Sequence, residues 1–106
     1  MIMESRNSRQ AFEARASSEW TFLTNHGQVL VCVYNDPDIR LREIGEQVGI
    51  TERAAHRIVG ELEQAGYLTR TRNGRRNRYF VNSRLGLPDP LARSQKVGDL
   101  LEMLTP

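Results

Sequence analysis

The stretch that decides the fold is Leu41–Leu62, which reads LREIGEQVGITERAAHRIVGEL. Apolar residues recur at helical spacing from Leu41 to Val48, so this part predicts a helix of about two turns with one apolar face. Gly49 can adopt the left-handed conformation that closes a helix, and Thr51 can cap the next helix with its side-chain oxygen. The sequence therefore predicts two short helices joined by a tight turn.

The second helix, which we place at residues 51–65, has two unlike faces. Its apolar stripe is formed by Ala55, Ile58, Val59, Leu62 and Ala65. Near its N-terminus the outer face carries Arg53, His56 and Arg57. Gly45 and Ala55 are small at positions where two steeply crossing helices would bring their backbones together. The pair of helices predicts a helix-turn-helix with a basic outer face.

A β-hairpin is predicted for residues 67–82, which read YLTRTRNGRRNRYFVN. Asn73-Gly74 is a strong signal for a two-residue turn, and that turn would place Arg72 opposite Arg75 and Leu68 opposite Tyr79. Like charges that face each other destabilise a hairpin, and no acidic residue occurs from Tyr67 to Arg84. An anionic partner outside the chain is therefore indicated, with phosphate as the obvious candidate. The arginines concerned are Arg70, Arg72, Arg75, Arg76 and Arg78.

Each of these features also has a simpler interpretation. The hairpin arginines could be solvated without binding anything. Arg53 and Arg57 could pair with acids of their own helix, since the four-residue spacing of Arg57 and Glu61 allows an ion pair. His56 could be a surface histidine with no role in recognition.

From about Thr21 to Asn82 the chain resembles the winged helix-turn-helix domain of small bacterial transcription regulators of the MarR and ArsR type. The resemblance is carried by LREIGEQVGI, by TERAAHRIVGELEQAGYL and by RNGRRNRYFV. It implies an α+β fold in which a three-helix core carries a small antiparallel β-wing, followed here by an additional C-terminal helix. It also implies double-stranded DNA as the partner, with helix 51–65 in the major groove and wing 67–82 on the backbone or minor groove. The DNA-contact residues expected on this basis are Thr51, Arg53, His56, Arg57, Arg70, Arg72, Arg75, Arg76 and Arg78.

The remaining chain divides into an arm, a domain and a tail. Residues 1–18 form a polar N-terminal arm that we expect to be disordered or weakly helical. The DNA-binding domain covers residues 19–85. It opens on a helix that Asn25 and Gln28 would cap and that Asp36-Pro37 would end, although the run VLVCVY would also suit a buried strand. Ile39 and Arg40 are candidates for a third strand of the wing sheet.

Residues 86–106 form a connector and a last helix. Pro88-Asp89-Pro90 predicts a stiff connector, and Ser94 could cap the helix. An apolar stripe at helical spacing could pack on its own domain or on the same helix of a partner copy. We favour the second arrangement, a homodimer, because the connector would carry the helix away from the core. The stripe consists of Val97, Leu100, Leu101 and Leu104.

Composition excludes several classes of protein. The 106 residues have a net charge of +2 and one cysteine, so no internal disulfide can form, as expected in a reducing compartment. No apolar run is long enough to cross a membrane, and we expect a cytoplasmic protein. Cys32, His26 and His56 do not make a metal site, and Cys32 is expected in the core. No catalytic grouping or phosphate-loop pattern is present, so we expect neither an enzyme nor a cofactor.

Two rival functions stay open. The same scaffold could present its helices and arginines to an acidic protein as an interaction module. Alternatively, a small-molecule effector could bind near Trp20, Tyr34 and the C-terminal stripe of a dimeric repressor and change the spacing of the recognition helices.

Overall fold

The computed structural model describes residues 20–105, so the predicted arm at residues 1–18 lies outside the described part of the chain. The helices are α1 (Asn25–Asn35), α2 (Leu41–Val48), α3 (Glu52–Gln64) and α4 (Val97–Met103). Strands β1 (Leu68–Asn73) and β2 (Arg76–Val81) form the wing, and a 3-10 helix spans Pro90–Ala92. The predicted α+β winged helix-turn-helix is confirmed: three helices, a two-stranded antiparallel sheet and a further C-terminal helix.

The turn between α2 and α3 has the predicted chemistry. Gly49 follows α2 with a φ of 86°, and the Thr51 hydroxyl accepts a hydrogen bond from the Ala54 backbone N–H at 3.0 Å. Gly45 is required by a close backbone approach, since a Cβ there would lie 2.7 Å from the Ile50 carbonyl oxygen. The small residue at position 45 therefore makes room for the turn itself, which fixes the direction in which α3 leaves α2.

One hydrophobic core joins the four helices and the wing. The apolar stripes of α1, α2 and α3 meet in it, and the base of the wing and α4 also contribute to it. Ala65, which the sequence places in the α3 stripe, is exposed because the helix ends at Gln64. The buried core consists of Val29, Leu30, Cys32, Val33, Ile39, Ile44, Ala55, Ile58, Val59, Leu62, Leu68, Tyr79, Val97 and Leu101.

The hairpin turn lies one residue later than predicted. Asn73 pairs with Arg76, so Gly74-Arg75 forms the two-residue turn, and Arg72 faces Asn77. Gly74 has a φ of 65° and Arg75 does not have a positive φ. A turn that needs positive φ only at its first central residue is satisfied by Gly-Arg, which leaves Asn73 free to extend the strand. The predicted opposition of Arg72 and Arg75 is therefore wrong.

The other end of the hairpin is fastened to the loop after α1. Leu68 pairs with Val81, and Arg70 rather than Leu68 faces Tyr79. The Tyr79 backbone N–H donates to the Pro37 carbonyl at 2.9 Å, and Ile39 is buried nearby in the same core. Among residues 20–105 the sheet has two strands, so the segment at Ile39 and Arg40 supports β2 without becoming the third strand.

Two helix starts differ from the sequence prediction. Thr24, not Asn25, caps α1, because its hydroxyl accepts from the Gly27 N–H at 3.2 Å. Helix α4 starts after Lys96 and not after Ser94. The residues just before α4 are paired with the connector: the Leu87 N–H donates to the Gln95 carbonyl at 2.9 Å, and Gly86 and Lys96 form a β-bridge.

Candidate nucleic-acid interface

The N-terminal part of α3 presents the first group of predicted contact residues. Thr51, Arg53 and His56 are exposed. Thr51 uses its oxygen as the helix cap, yet its hydroxyl proton can still be donated to an anion. Arg53 and His56 are three residues apart, so they share one side of the helix. Neither side chain has a hydrogen bond or ion pair with any residue of the described range 20–105.

Arg57, one turn further along α3, is held by an acid. Its Nη1 lies 3.1 Å from Glu61 Oε2, and His26 Nε2 of α1 lies 2.6 Å from Glu61 Oε1. The hydrogen bonds from His26 and Arg57 hold the pKa of the Glu61 carboxyl below its usual value. The simpler interpretation of Arg57, an ion pair within its own helix, is therefore realised in the structure. The exposed guanidinium still has donors beyond that pair.

Two of the five hairpin arginines form ion pairs where the wing joins the domain. Arg70 Nε lies 3.2 Å from Glu63 Oε2, which ties β1 to α3. Arg78 Nη1 donates to both carboxylate oxygens of Asp38, at 2.9 and 2.8 Å, and its guanidinium lies 5.7 Å from the centroid of the Phe80 ring. These contacts fasten the hairpin to the helices.

The other three arginines lie at the tip of the wing. Arg72, Arg75 and Arg76 are exposed. Arg72 Nε donates to the Gly74 carbonyl at a long 3.4 Å. Within the described residues none of the three has an ion pair. The tip is therefore a concentration of uncompensated positive charge that projects from the domain.

Sequence reasoning missed two arginines beside the tip. A cleft of about 490 Å³ lies between the wing and the start of α2, and Arg40 and Arg42 line it together with Arg75 and Arg76. Arg40 and Arg42 flank Leu41 at a helix start, where nothing in the local pattern connects them with the hairpin. Only the tertiary contact between the loop after α1 and β2 brings them there.

The C-terminal stripe does not form one exposed face. Val97 and Leu101 are buried in the core of their own domain, whereas Leu100 is half-buried and Leu104 is exposed. The connector does not carry α4 away from the core, because the Val97 N–H donates to the Leu85 carbonyl at 2.8 Å. Val97 and Leu101 therefore stabilise the domain itself, and the surface left for another protein is Leu100, Leu104 and their neighbours.

An apolar cavity of about 500 Å³ opens between the start of α1, the 3-10 helix and α4. Leu30, Leu62 and Tyr67 lie among its lining residues, and its rim carries the exposed Phe22 and Leu91. Trp20 and Tyr34, which were predicted near an effector site, do not line it. Three residues of the predicted stripe do line it, namely Val97, Leu100 and Leu101.

The structure places the remaining candidates in structural roles. Cys32 is buried, and burial raises the pKa of its thiol; its Sγ lies 3.4 Å from Gln47 Oε1. From residue 20 to residue 105 no three His, Cys, Asp or Glu side chains are grouped so that they could hold a metal ion. In the same range no helix is long and apolar enough to cross a membrane.

Comparisons with known proteins agree with this geometry. The sequence model of the MarR family matches residues 24–77, from the α1 cap into β2. The structure is similar to that of the PcaV transcriptional regulator from Streptomyces coelicolor in complex with its natural ligand, with 26% identity and a TM-score of 0.50. That alignment covers 74% of this chain and 59% of PcaV, so the chain spans well under two thirds of that relative.

A second solved structure in the comparison is the transcriptional repressor BigR from Xylella fastidiosa, with 19% identity, a TM-score of 0.48, and coverage of 97% of this chain and 86% of BigR. No curated protein sequence matches the chain. The family match covers just over half of the 106 residues and includes the whole helix-turn-helix. The chain belongs to the MarR family.

Proposed function

We propose that this chain is a sequence-specific transcription regulator that places α3 in the major groove of double-stranded DNA and the wing tip on the backbone or in the minor groove. The observation that carries the proposal is that α3 and the wing tip both carry exposed basic side chains without acidic partners in the described residues. On α3 they are Arg53 and His56, and at the wing tip they are Arg72, Arg75 and Arg76.

The two surfaces would have different tasks. Arg53 and His56 would read base edges, and a bidentate arginine contact to guanine is worth roughly 1–3 kcal/mol of discrimination. Thr51 would donate its hydroxyl proton to a phosphate at the start of α3. Arg57 would contact a base with one edge of its guanidinium group while Glu61 accepts from the other edge. The wing-tip arginines would bind phosphates and so position the protein without reading sequence. Arg70 and Arg78 would contribute mainly by holding the wing in place.

A homodimer on a two-fold symmetric operator follows from this proposal. Leu100 and Met103 of α4, Leu104 directly after it and Leu91 of the 3-10 helix leave apolar side chains partly or fully exposed. A second copy would cover them and would set the spacing of two half-sites. Replacing Leu104 with Glu should then yield a monomer in sedimentation equilibrium, with weaker operator binding. A protein of this kind acts in the cytoplasm, where its single buried thiol stays reduced.

The apolar cavity favours a second candidate, a regulator that responds to a small apolar ligand. Its volume of about 500 Å³ is within the range of small-molecule sites, and its lining is largely hydrophobic. The naphthalene dye 1-anilinonaphthalene-8-sulfonate should bind the native protein and fluoresce. Ala92→Trp, which would fill the cavity from its lining, should remove that signal, and an equal signal in the variant would count against a ligand site.

Selection from a random pool of duplexes tests the proposed function. The wild type should enrich a palindromic site, and Arg53→Ala should relax one position of each half-site. Arg93→Ala is the matched control, because it removes an exposed arginine that follows the 3-10 helix and belongs to neither α3 nor the wing. Selection of the same site by Arg53→Ala and the wild type would contradict base reading by Arg53. Duplex binding that ignored every α3 substitution would favour a protein-interaction module.

A further inference from the structure

We propose that the cleft between the wing tip and the start of α2 is a second phosphate-binding site, in which Arg40 and Arg42 hold the DNA backbone. The inference rests on the proposed function, because it assigns the backbone of the same duplex to this cleft. It adds two residues that belong to neither the recognition helix nor the wing.

Charge at the cleft is strongly unbalanced. Arg40, Arg42, Arg75 and Arg76 line its wall, all four are exposed, and none forms an ion pair within residues 20–105. Two acids line it as well, Asp38 and Glu52. Asp38 is already neutralised by Arg78, which donates to both of its oxygens. Four guanidinium groups therefore face one uncompensated carboxylate, and guanidinium is the side chain best suited to bind phosphate with two bonds.

The backbone around the cleft is fixed before any ligand arrives. The Tyr79 N–H donates to the Pro37 carbonyl at 2.9 Å, and the side chains of Tyr79 and Ile39 are buried in the core. The Arg40 N–H donates to Glu43 Oε1 at 2.9 Å, which holds the first turn of α2. The start of α2 therefore cannot move away from β2 without breaking these contacts. A rigid wall lowers the cost of ordering side chains when an anion binds.

Position favours the DNA backbone over a small free anion. Glu52, the first residue of the recognition helix, lines one side of the cleft, and the wing-tip residues Arg75 and Arg76 line another. A DNA strand that contacts both α3 and the wing must pass over the space between them. The four exposed arginines form an open rim, whereas sites for small ligands bury most of the ligand surface.

Substitution of Glu52 should change duplex affinity in the opposite direction to substitution of the cleft arginines. Glu52 lines the cleft and its carboxylate has no ion pair in the described residues, so this charge would repel a phosphate bound there. Removing that charge should strengthen binding to every duplex, while removing Arg40 and Arg42 should weaken it.

The salt dependence of duplex binding tests the cleft directly. Fluorescence anisotropy with a labelled duplex at several KCl concentrations gives the slope of log K against log salt. Each lost phosphate contact should reduce the steepness of that slope by about 0.9, so Arg40→Ala/Arg42→Ala should reduce it by about 1.8. Arg42→Lys should keep most of the slope because it keeps the charge. Glu52→Gln should bind all duplexes more tightly, and Arg93→Ala should match the wild type.

Four outcomes separate the inference from the proposed function. The slope loss in Arg40→Ala/Arg42→Ala, with melting temperatures unchanged, supports the cleft. A wild-type slope in that variant, beside a reduced slope in Arg75→Ala/Arg76→Ala, overturns the cleft and leaves the proposed function standing. No duplex binding by the wild type overturns both. Inorganic pyrophosphate that raises the melting temperature of the wild type but not of Arg40→Ala/Arg42→Ala, with an unchanged DNA slope, overturns the assignment to the DNA backbone.

Discussion

The base and the tip of the wing contain the same residue type in opposite electrostatic situations. At the base, Arg70 and Arg78 lie 3.2 and 2.8 Å from the carboxylates of Glu63 and Asp38. At the tip, Arg75 and Arg76 have no acidic partner in the described residues. The arginines at the base of the hairpin therefore attach the wing to the domain, whereas the arginines at its tip form an exposed cationic surface. Proximity to an acid on another element, not arginine content, decides which side chains can bind an outside anion.

The largest loss of stability is expected when the buried aromatic ring of Tyr79, which joins the base of the wing to the core, is removed. Tyr79 is among the largest fully buried side chains, so Tyr79→Ala should lower the free energy of unfolding by about 3–5 kcal/mol, as for other large aromatic residues in cores. Urea denaturation measures this value. Phe80→Ala, on the exposed neighbour, is the control and should cost far less. Equal losses in the two variants would contradict the role of Tyr79 as the buried anchor of the wing base.

A smaller loss of stability is expected when a substitution strains the backbone at the wing tip without changing its charge. Gly74 has a φ of 65° and open space around it, so Gly74→Ala should cost about 1–2 kcal/mol through backbone strain alone. Gly60→Ala is the matched control, because Gly60 lies within α3 with nothing nearby, and alanine there should stabilise by about 0.5–1 kcal/mol. Thermal unfolding of both variants would reveal the opposite signs, and a neutral Gly74→Ala would argue against this turn.

The ion pairs at the base should contribute roughly 0.2–1 kcal/mol each to stability, because their side chains are partly exposed. A double-mutant cycle with Arg78→Ala and Asp38→Ala isolates the coupling free energy of the pair. The same cycle with Arg93→Ala and Asp38→Ala serves as the control, and it should give no coupling, because Arg93 does not line the cleft that contains Asp38. A coupling near zero for Arg78 and Asp38 would mean that the base arginine is as free as the tip.

Arg57 combines features of the base and the tip, because it is exposed but also paired with Glu61. The contribution of this pair to stability should depend on pH, and we expect this effect to be the smallest of those described. The hydrogen bonds from His26 and Arg57 lower the pKa of Glu61 in the folded protein. The ionised form is therefore favoured by folding, and the stabilisation is complete at neutral pH and is lost as acid protonates Glu61. Urea midpoints measured from neutral to acidic pH should fall less in Glu61→Gln than in the wild type. An identical fall in the two proteins would contradict a stabilising pair at Arg57.

Features set by neighbouring residues could be predicted from the sequence. Gly49 and Thr51 placed the turn between α2 and α3, and the apolar spacing in α3 identified most of its buried face. The hairpin was located correctly, but its register was not. Asn73-Gly74 and Gly74-Arg75 are both acceptable turns locally, and the choice between them also depends on which residues of β2 reach the core.

Features set by distant contacts could not be predicted. Nothing near Arg70 or Arg78 in the sequence indicates Glu63 or Asp38 as partners, so five hairpin arginines looked equivalent. Arg40 and Arg42 were missed for the same reason. The stripe in α4 was recognised as apolar, yet its periodicity cannot tell whether Val97 and Leu101 pack on their own domain or on another copy.

The division between base and tip is tested most directly by the salt dependence of duplex binding in two double variants. Arg75→Ala/Arg76→Ala should reduce the steepness of log K against log salt by about 1.8, as expected for two lost phosphate contacts. Arg70→Gln/Glu63→Gln removes a base arginine together with its acidic partner and should keep the wild-type slope, because that positive charge is already balanced within the domain. An equal loss of slope in both variants, or no loss in the tip variant, would contradict the account.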